Sequence, residues 1–248
     1  MSESIKMTLY HGSDTEIKRP AFGKGKSDND YGSGFYTTED KESAKEWAVI
    51  NGQQGQAICN EYELDTSDLD ILYLDDYGTL AWIAEVIYNR GTDNETNAEI
   101  GQLLVEKYKV DTSEADIIIG YRADDSYIKI VDAFLEKKLT IEEVNNMFKK
   151  GNLGQQVFIK SKKAFENLTF IESEEVKENQ KYGDYDKIAR KEVSAFLQNR
   201  NRAIQIEGFD VSSKGFTVLD AIHHNLEYQY GYYFNNNVNE TDRSIERG

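Results

Sequence analysis

The chain has one cysteine, one proline and three histidines among its 248 residues, and these shortages exclude several classes of protein. With Cys59 alone, neither an intramolecular disulfide nor a four-thiolate zinc site is available, so a reducing, cytoplasmic setting is expected. Cys59 is expected to be a small buried apolar side chain. Three histidines make a histidine-rich metal site a poor expectation. No apolar run reaches the roughly 18–20 residues of a membrane span, and the first residues lack the apolar stretch of a signal peptide.

Positive charge is also scarce, because 29 lysines and arginines stand against 45 aspartates and glutamates, a formal net charge of −16. A chain of this charge repels nucleic acid at long range, which argues against non-specific binding to DNA or RNA. A few placed cations can still hold a small anionic ligand or line a local basic groove. Apolar residues make up 39% of the chain, which suffices for a packed core at this length.

Short β-type runs alternate with amphipathic helical runs over the first 170 residues, a pattern typical of an α+β fold. Strands are predicted at 7–10, 34–38, 57–64, 69–74, 116–120, 156–159 and 168–171. Helices are predicted at 40–49, 79–88, 98–108, 126–136, 141–149, 162–167 and 187–199. A change of composition near residue 175 indicates a body over residues 1–175 and a helical, aromatic extension over 176–248. That extension is expected to pack on the body or to bind a partner through its aromatic run at 228–234.

The first predicted strand ends in the motif LYHGS, residues 9–13. A histidine at a strand end can donate a hydrogen bond to a ribose hydroxyl, so His11 is a candidate binding residue. Gly12 and Ser13 follow it, and a glycine there allows the backbone to approach a ligand closely. The alternative is a surface histidine in an ordinary turn.

A glycine-rich loop over residues 23–34 leads into a short aromatic strand with the sequence GFYTT. Because side chains alternate along a strand, Phe35 and Thr37 face one way and Tyr36 and Thr38 face the other. One face is expected to pack into the core, while the other presents Tyr36 as a flat platform for a planar ring. The alternative is an aromatic-rich hairpin with no ligand.

The predicted strand at 156–159 begins beside a pair of amides. Gln156 shares a strand face with Phe158, whereas Gln155 shares the opposite face with Val157 and Ile159. Gln156 is therefore the better candidate to hydrogen-bond a sugar hydroxyl, and Gln155 is its near competitor.

The run DIIIGYRADD, residues 116–125, places polar groups just beyond a predicted buried strand. Arg122, Asp124 and Asp125 stand at a position that suits ligand groups. The same position suits a helix N-terminus, where carboxylates interact favourably with the helix dipole. Both interpretations stay open for the two aspartates.

Taken in order, LYHGS, DYGSGFYTT, the helix carrying SAKEWA, DIIIGYRADD and QQVFIKSKKAFENL resemble the bacterial DUF3990 family over about residues 8–172. That family belongs with the ADP-ribosyltransferase-like superfamily. The resemblance implies a split β-sheet core with flanking helices. It also implies a site built from a His, a Tyr and a Glu or Gln on separate strands, which map to His11, Tyr36 and Gln156.

The implied chemistry is cleavage of the bond between nicotinamide and its ribose in NAD⁺, with NAD as substrate and no metal. In this resemblance His11 holds the adenosine-side ribose, Tyr36 stacks on nicotinamide, and Gln156 hydrogen-bonds the 2′-hydroxyl of the nicotinamide ribose. The predicted NAD-binding set also contains Gly12, Ser13, Gly34, Phe35, Thr37 and Asp124.

The resemblance further implies an NAD-dependent mono-ADP-ribosyltransferase, a bacterial toxin or regulator that modifies an intracellular macromolecule. The acidic chain favours a protein acceptor over bulk nucleic acid, although a local groove would permit the latter. An antitoxin that restrains the enzyme is the expected partner.

Many members of the superfamily carry glutamate where this chain has Gln156. A neutral amide stabilises developing positive charge less well than a carboxylate and does not act as a base. The alternative function is therefore a catalytically weak or inactive module that binds NAD or ADP-ribose. A nuclease-type toxin using His11 with the acid pair is a further alternative, which the net charge opposes.

Overall fold

The strands and helices were located in a computed structural model, which describes residues 5–51, 56–92, 95–122, 125–150, 154–177 and 180–224. The strands are β1 (Lys6–Ser13), β2 (Phe35–Thr37), β3 (Ile58–Asp65), β4 (Ile71–Tyr73), β5 (Ile117–Tyr121), β6 (Gln155–Ile159) and β7 (Leu168–Glu175). The helices are α1 (Lys41–Asn51), α2 (Thr79–Arg90), α3 (Glu95–Tyr108), α4 (Asp125–Leu135), α5 (Ile141–Lys150), α6 (Lys162–Glu166), α7 (Gln180–Glu207) and α8 (Val218–His223). The predicted α+β class is confirmed.

The strands of the described residues form two sheets. The first sheet is antiparallel with the order β1-β3-β7, and the second has the order β2-β6-β5-β4, in which β4 and β5 run parallel. A backbone bridge joins Tyr10 of β1 to Thr38, just after β2, through N–H···O bonds of 2.8 and 3.0 Å. This line of contact between β1 and β2 is called the seam below. It brings together two residues that lie 28 positions apart in sequence.

Apolar side chains fill the space between the two sheets. Leu9 and Tyr62 of the first sheet pack there against Ile117 and Ile159 of the second. The opposite face of the second sheet is covered by a larger helical layer, into which Phe158 projects. Both faces of the second sheet are covered. The continuous apolar run of β5 is therefore buried, as the sequence predicted for this strand.

Helix α1 lies on the outer face of the first sheet. Ala44 and Ala48 of this helix pack over the buried Cys59 of β3. Asp40 caps the helix, since its carboxylate accepts from the Glu42 amide at 3.0 Å and from the Ser43 hydroxyl at 2.8 Å. The predicted cap at Asp40 is confirmed.

Thr140 caps α5 in the predicted manner. Its Oγ1 accepts from the Glu143 amide at 3.3 Å, and the Glu143 carboxylate accepts from the Thr140 amide at 3.0 Å. This reciprocal pair is a capping box, which satisfies two backbone donors at the start of the helix.

The described residues beyond 175 pack on the rest of the chain. Helix α7 contacts α1 and α4. It is longer than the predicted 187–199, because polar turns extend a helix once its packed stretch has formed. In α8, Val218 and Ala221 are fully buried in the helical layer. The amine of Lys107 donates to the carbonyls of Ala221 and Ile222 at 3.0 and 2.8 Å, which holds the end of α8. The aromatic run 228–234 lies outside the described residues, so its docking role stays a prediction.

Among the described residues, no helix combines the length and apolarity needed to cross a bilayer.

Candidate functional site

A cleft of about 540 Å³ opens at the seam, between β1, β2, α1 and the ends of α2, β5 and β6. The loop over residues 14–34, which connects β1 to β2, forms part of its wall. A volume of this size lies in the range that small-molecule sites occupy. The lining includes these members of the predicted site: His11, Gly12, Tyr36, Thr37 and Gln156.

His11 lies in β1 at the seam, with its ring tilted against Phe35 at 4.5 Å between centroids. Its Nδ1 donates a hydrogen bond to the carbonyl oxygen of Tyr36 at 2.7 Å. Burial lowers the pKa of His11, which favours the neutral ring. In a neutral ring with its proton on Nδ1, Nε2 is an acceptor. The Nε2 of His11 can therefore accept a hydrogen bond, whereas the sequence predicted that His11 donates one.

The hydroxyl of Tyr36 is committed to the loop at the cleft wall. It donates to the carbonyl oxygen of Gly32 at 2.7 Å and accepts from the Tyr31 amide at 3.0 Å. Burial raises the pKa of Tyr36 well above its usual value, so the phenol stays protonated. The ring lies 4.8 Å from that of Phe158, centroid to centroid. Tyr36 is thus a fixed aromatic surface at the cleft, which is the geometry that a stacking platform needs.

The two glutamines at the start of β6 hydrogen-bond different partners. Gln156 is 7% exposed and donates from Nε2 to Asp30 Oδ2 at 2.9 Å. Gln155 donates instead to Asp75. The predicted alternation along β6 is confirmed, because Phe158 packs among the helices while its two neighbours pack between the sheets. Both glutamines line the cleft, and Gln156 is the one joined to a second buried polar side chain of its wall.

Asp30 is a cleft residue to which the sequence analysis gave no role. It is 6% exposed, and its Oδ1 accepts from Arg90 Nη1 at 2.9 Å while its Oδ2 accepts from Gln156. Asn89, also in α2, donates to the Asp30 carbonyl at 3.2 Å. The one feature of the sequence that could have indicated a role for Asp30 is its position as the first residue of the DYGSG motif. Loop composition did not distinguish it from the exposed Asp28 two residues earlier.

Basic side chains surround the cleft, although the chain as a whole is acidic. The charged residues of its described lining are the cations Lys24, Lys26, Arg90 and Arg122 and the anion Asp30, a formal balance of 4 − 1 = +3. Arg122 follows β5, where the sequence placed it as a potential ligand group, and its guanidinium lies 3.9 Å from the centre of the Trp47 ring. Against a net charge of −16, this local excess of positive charge favours an anionic ligand.

Other predicted binding residues lie beside the cleft rather than on its wall. Ser13 donates to a carbonyl of the following turn, and Phe35 packs between the sheets. Gly34 packs under Phe158, where an added Cβ would come within 2.2 Å of the ring. Asp124 lies outside the described residues, so its role stays a prediction.

Gly12 lines the cleft, but the close approach that it permits is to α1. A Cβ at this position would lie 2.0 Å from the Ala44 carbonyl oxygen and 2.5 Å from the Ala48 nitrogen. These are backbone atoms that cannot move without shifting the helix. A packing requirement therefore explains this glycine independently of any ligand.

Two further features of the described residues are the grouping of metal-ligating side chains and the accessibility of the thiol. No group of three or more His, Cys, Asp or Glu side chains there could hold a metal ion. Cys59 is 1% exposed, and burial raises its pKa to about 11, so the thiol is neutral and inaccessible. The expectation that Cys59 serves as a small buried apolar residue is confirmed.

The fold and the cleft define an α+β protein with a mainly basic cleft at the junction of two sheets. A comparison with protein families gives a match. Residues 7–170 match the model of DUF3990, a family described as "protein of unknown function". This match covers about two-thirds of the chain and every cleft-lining residue named above, so the chain belongs to the DUF3990 family. No curated protein matches the chain significantly.

Proposed function

We propose that this DUF3990 protein is an NAD-dependent mono-ADP-ribosyltransferase. One observation carries the proposal: His11 of β1, Tyr36 of β2 and Gln156 of β6 come from three separate strands and line the same cleft. These are the three residues to which the family resemblance maps the His, Tyr and Glu or Gln positions. The division of the strands into two sheets that meet at β1 and β2 also supports a split-sheet core of the ADP-ribosyltransferase type.

The charge of the cleft supports a dinucleotide as the ligand. NAD carries a diphosphate, and the cations Arg122, Lys24 and Lys26 line the cleft that contains the three site residues. Guanidinium and ammonium groups form charge-assisted hydrogen bonds with phosphate oxygens, which are stronger than neutral ones. The ring of Trp47 beneath Arg122 adds an aromatic surface to the same wall.

Each site residue has a distinct part in the proposed reaction. His11 Nε2 accepts a hydrogen bond from a hydroxyl of the adenosine-side ribose, and the Tyr36 ring stacks on nicotinamide. Gln156 hydrogen-bonds the 2′-hydroxyl of the nicotinamide ribose. The bond between the ribose C1′ and the nicotinamide nitrogen breaks with its electron pair on nicotinamide. The acceptor's lone pair then forms the new bond to C1′, and its proton passes to solvent. The protein contributes positioning and electrostatic stabilisation.

Nicotinamide release from NAD⁺, measured with and without candidate acceptors, tests the proposal. Replacing Tyr36 by Ala removes the stacking surface, and we expect a rate reduction of about 10²-fold, since small misplacements of a substrate cost that much. Tyr88→Ala is the matched control, because Tyr88 is 62% exposed and does not line the cleft. Absence of both nicotinamide release and transfer of labelled ADP-ribose to any acceptor would overturn the proposal.

A binding module without catalysis is the second candidate, favoured by the neutral side chain of Gln156. Such a module saturates with NAD⁺ or ADP-ribose but releases no nicotinamide. Calorimetric titration combined with the release assay separates the binding module from the transferase. Only the binding module is expected to bind NAD⁺ without releasing nicotinamide.

We further propose a bacterial toxin or regulator whose acceptor is an intracellular macromolecule and which an antitoxin restrains. The acidic chain favours a protein acceptor, and the basic cleft rim is the place where a nucleic acid would approach. Labelled NAD⁺ added to a bacterial lysate, followed by separate protease and nuclease digestion, identifies which class carries the label.

A further inference from the structure

Asp30 is held in the cleft wall by two hydrogen bonds to its carboxylate and one to its backbone carbonyl. Arg90 donates to Oδ1 at 2.9 Å, Gln156 donates to Oδ2 at 2.9 Å, and Asn89 donates to the backbone carbonyl at 3.2 Å. Arg90 and Asn89 both belong to the last turn of α2, a helix buried over most of its length. The position of Asp30 is therefore set by a rigid element rather than by the loop that carries it.

The partners of Gln156 fix which way its amide faces. Nε2 lies 2.9 Å from Asp30 Oδ2 and 3.3 Å from the carbonyl oxygen of Tyr121. An ionised carboxylate and a carbonyl are acceptors, so both require the NH₂ end of the amide. If the amide were reversed, Oε1 would face two other oxygens. The amide oxygen of Gln156 is consequently the end that remains for a ligand in the cleft.

We propose that Asp30 is a positioning residue that aims and polarises Gln156, so that the carboxylate–amide pair takes the place of a single catalytic carboxylate. This inference rests on the proposed function. The amide that donates to Asp30 gains electron density on Oε1, because hydrogen bonds in series polarise one another in a low-dielectric site. Gln156 Oε1 then accepts from the substrate's ribose hydroxyl, and Asp30 acts on the substrate through Gln156 without touching it.

The inference changes the expected result of placing a glutamate at position 156. Gln156→Glu puts a second carboxylate about 3 Å from Asp30, and two carboxylates at that distance cannot both ionise readily. We therefore expect Gln156→Glu alone to slow nicotinamide release about tenfold or more and to add a new ionisation to the pH–rate profile. If Gln156 acted without Asp30, Gln156→Glu would instead be expected to release nicotinamide faster than the native protein.

A reciprocal exchange tests the pair directly. Asp30→Asn alone is expected to lower kcat for nicotinamide release by about 10²-fold, with KM for NAD⁺ changed less than about threefold. The double variant Asp30→Asn/Gln156→Glu restores one carboxylate and one amide in contact, with the hydrogen bond reversed. We expect its kcat to return to within about tenfold of the native enzyme. Asp28→Asn is the matched control, because Asp28 is exposed in the same loop.

The outcomes separate this inference from a purely structural role for Asp30. If Asp30 served only to hold the loop through Arg90, the exchange variant would be as slow as Asp30→Asn, and that result would overturn the inference. An unchanged kcat in Asp30→Asn, with native nicotinamide release, would also overturn it. Absence of nicotinamide release by the native protein would instead count against the proposed function, on which the inference rests.

The orientation of the amide has a readout that does not depend on turnover. The side-chain ¹⁵N–H₂ resonances of Gln156, identified by their loss in Gln156→Glu, report the two hydrogen bonds of Nε2. We expect these resonances to shift in Asp30→Asn and to stay unchanged in Asp28→Asn. Unchanged resonances in Asp30→Asn would overturn the proposed coupling, whatever the enzymatic result.

Discussion

The two sheets of this protein differ in how much of each is covered, and the candidate site lies where they meet. The second sheet is packed on both faces, so β5 has the burial pattern of a continuous apolar strand. The first sheet is covered on one face and only partly on the other, so β3 alternates between buried and partly exposed residues. His11 comes from the first sheet, whereas Tyr36 and Gln156 come from the second.

This difference shows how polar side chains reach a buried site without disrupting the core. The seam is joined by the Tyr10–Thr38 backbone bridge and by the hydrogen bond from His11 to the Tyr36 carbonyl. Arg122, which follows a strand of the second sheet, reaches across to Trp47 on the helix that covers the first. Polar groups therefore collect along a line that neither sheet buries alone.

The largest expected effect is the loss of unfolding free energy when an aromatic ring is removed, and this loss should differ between the two sheets. Phe158→Ala in the second sheet empties a site covered on both sides, so we expect the free energy of unfolding to fall by about 3–5 kcal/mol. Phe170→Ala in β7 of the first sheet removes a partly exposed ring, and a loss of about 1–2 kcal/mol is expected. Denaturant unfolding of both variants makes the comparison. Equal losses would contradict the difference in coverage.

An intermediate effect, on NAD⁺ affinity, is expected when a cation of the cleft at the seam is removed. Arg122→Gln removes one of the cleft cations and its stack on Trp47, so NAD⁺ affinity should fall by about 10-fold to 100-fold. Calorimetric titration at low and moderate salt measures the change. Arg202→Gln is the control of equal charge change, since Arg202 is exposed on α7 away from the cleft. The same loss in both variants would mean that overall charge, rather than the seam, attracts the ligand.

The smallest effect concerns the histidine of the first sheet. Burial lowers the pKa of His11 from its ordinary 6.5. Below about pH 6.5 the unfolded chain therefore binds a proton that the folded chain excludes, and stability falls as the pH falls. Between about pH 7.5 and about pH 5.5 the native protein should therefore lose more stability than His11→Asn, as measured by denaturant unfolding. Equal losses in the two proteins would show that the imidazole is solvated.

Local patterns predicted the elements of the fold because each one depends on neighbouring residues. The helices capped by Asp40 and Thr140 begin where capping chemistry placed them, and the strand predicted at 7–10 forms the middle of β1, which continues through His11 to Ser13. Helix α7 extended beyond its predicted limits, because polar turns carry no apolar period to mark them.

The candidate site was predicted in part. Motif order and resemblance indicated His11, Tyr36 and Gln156, and strand alternation favoured Gln156 over Gln155, although both line the cleft. Asp30 was missed because its significance depends on a contact across 126 residues of sequence, which no local pattern records.

The sequence by itself determined the α+β class, the alternation along each strand and the residue types available for a ligand, because these follow from local geometry and composition. Only the tertiary structure decided that a chain of charge −16 would gather four cations around one cleft. It also decided which ring nitrogen of the histidine is bonded to the backbone and which carboxylate holds the glutamine amide. Those outcomes depend on burial and on hydrogen bonds between distant segments, and both arise only when the two sheets come together.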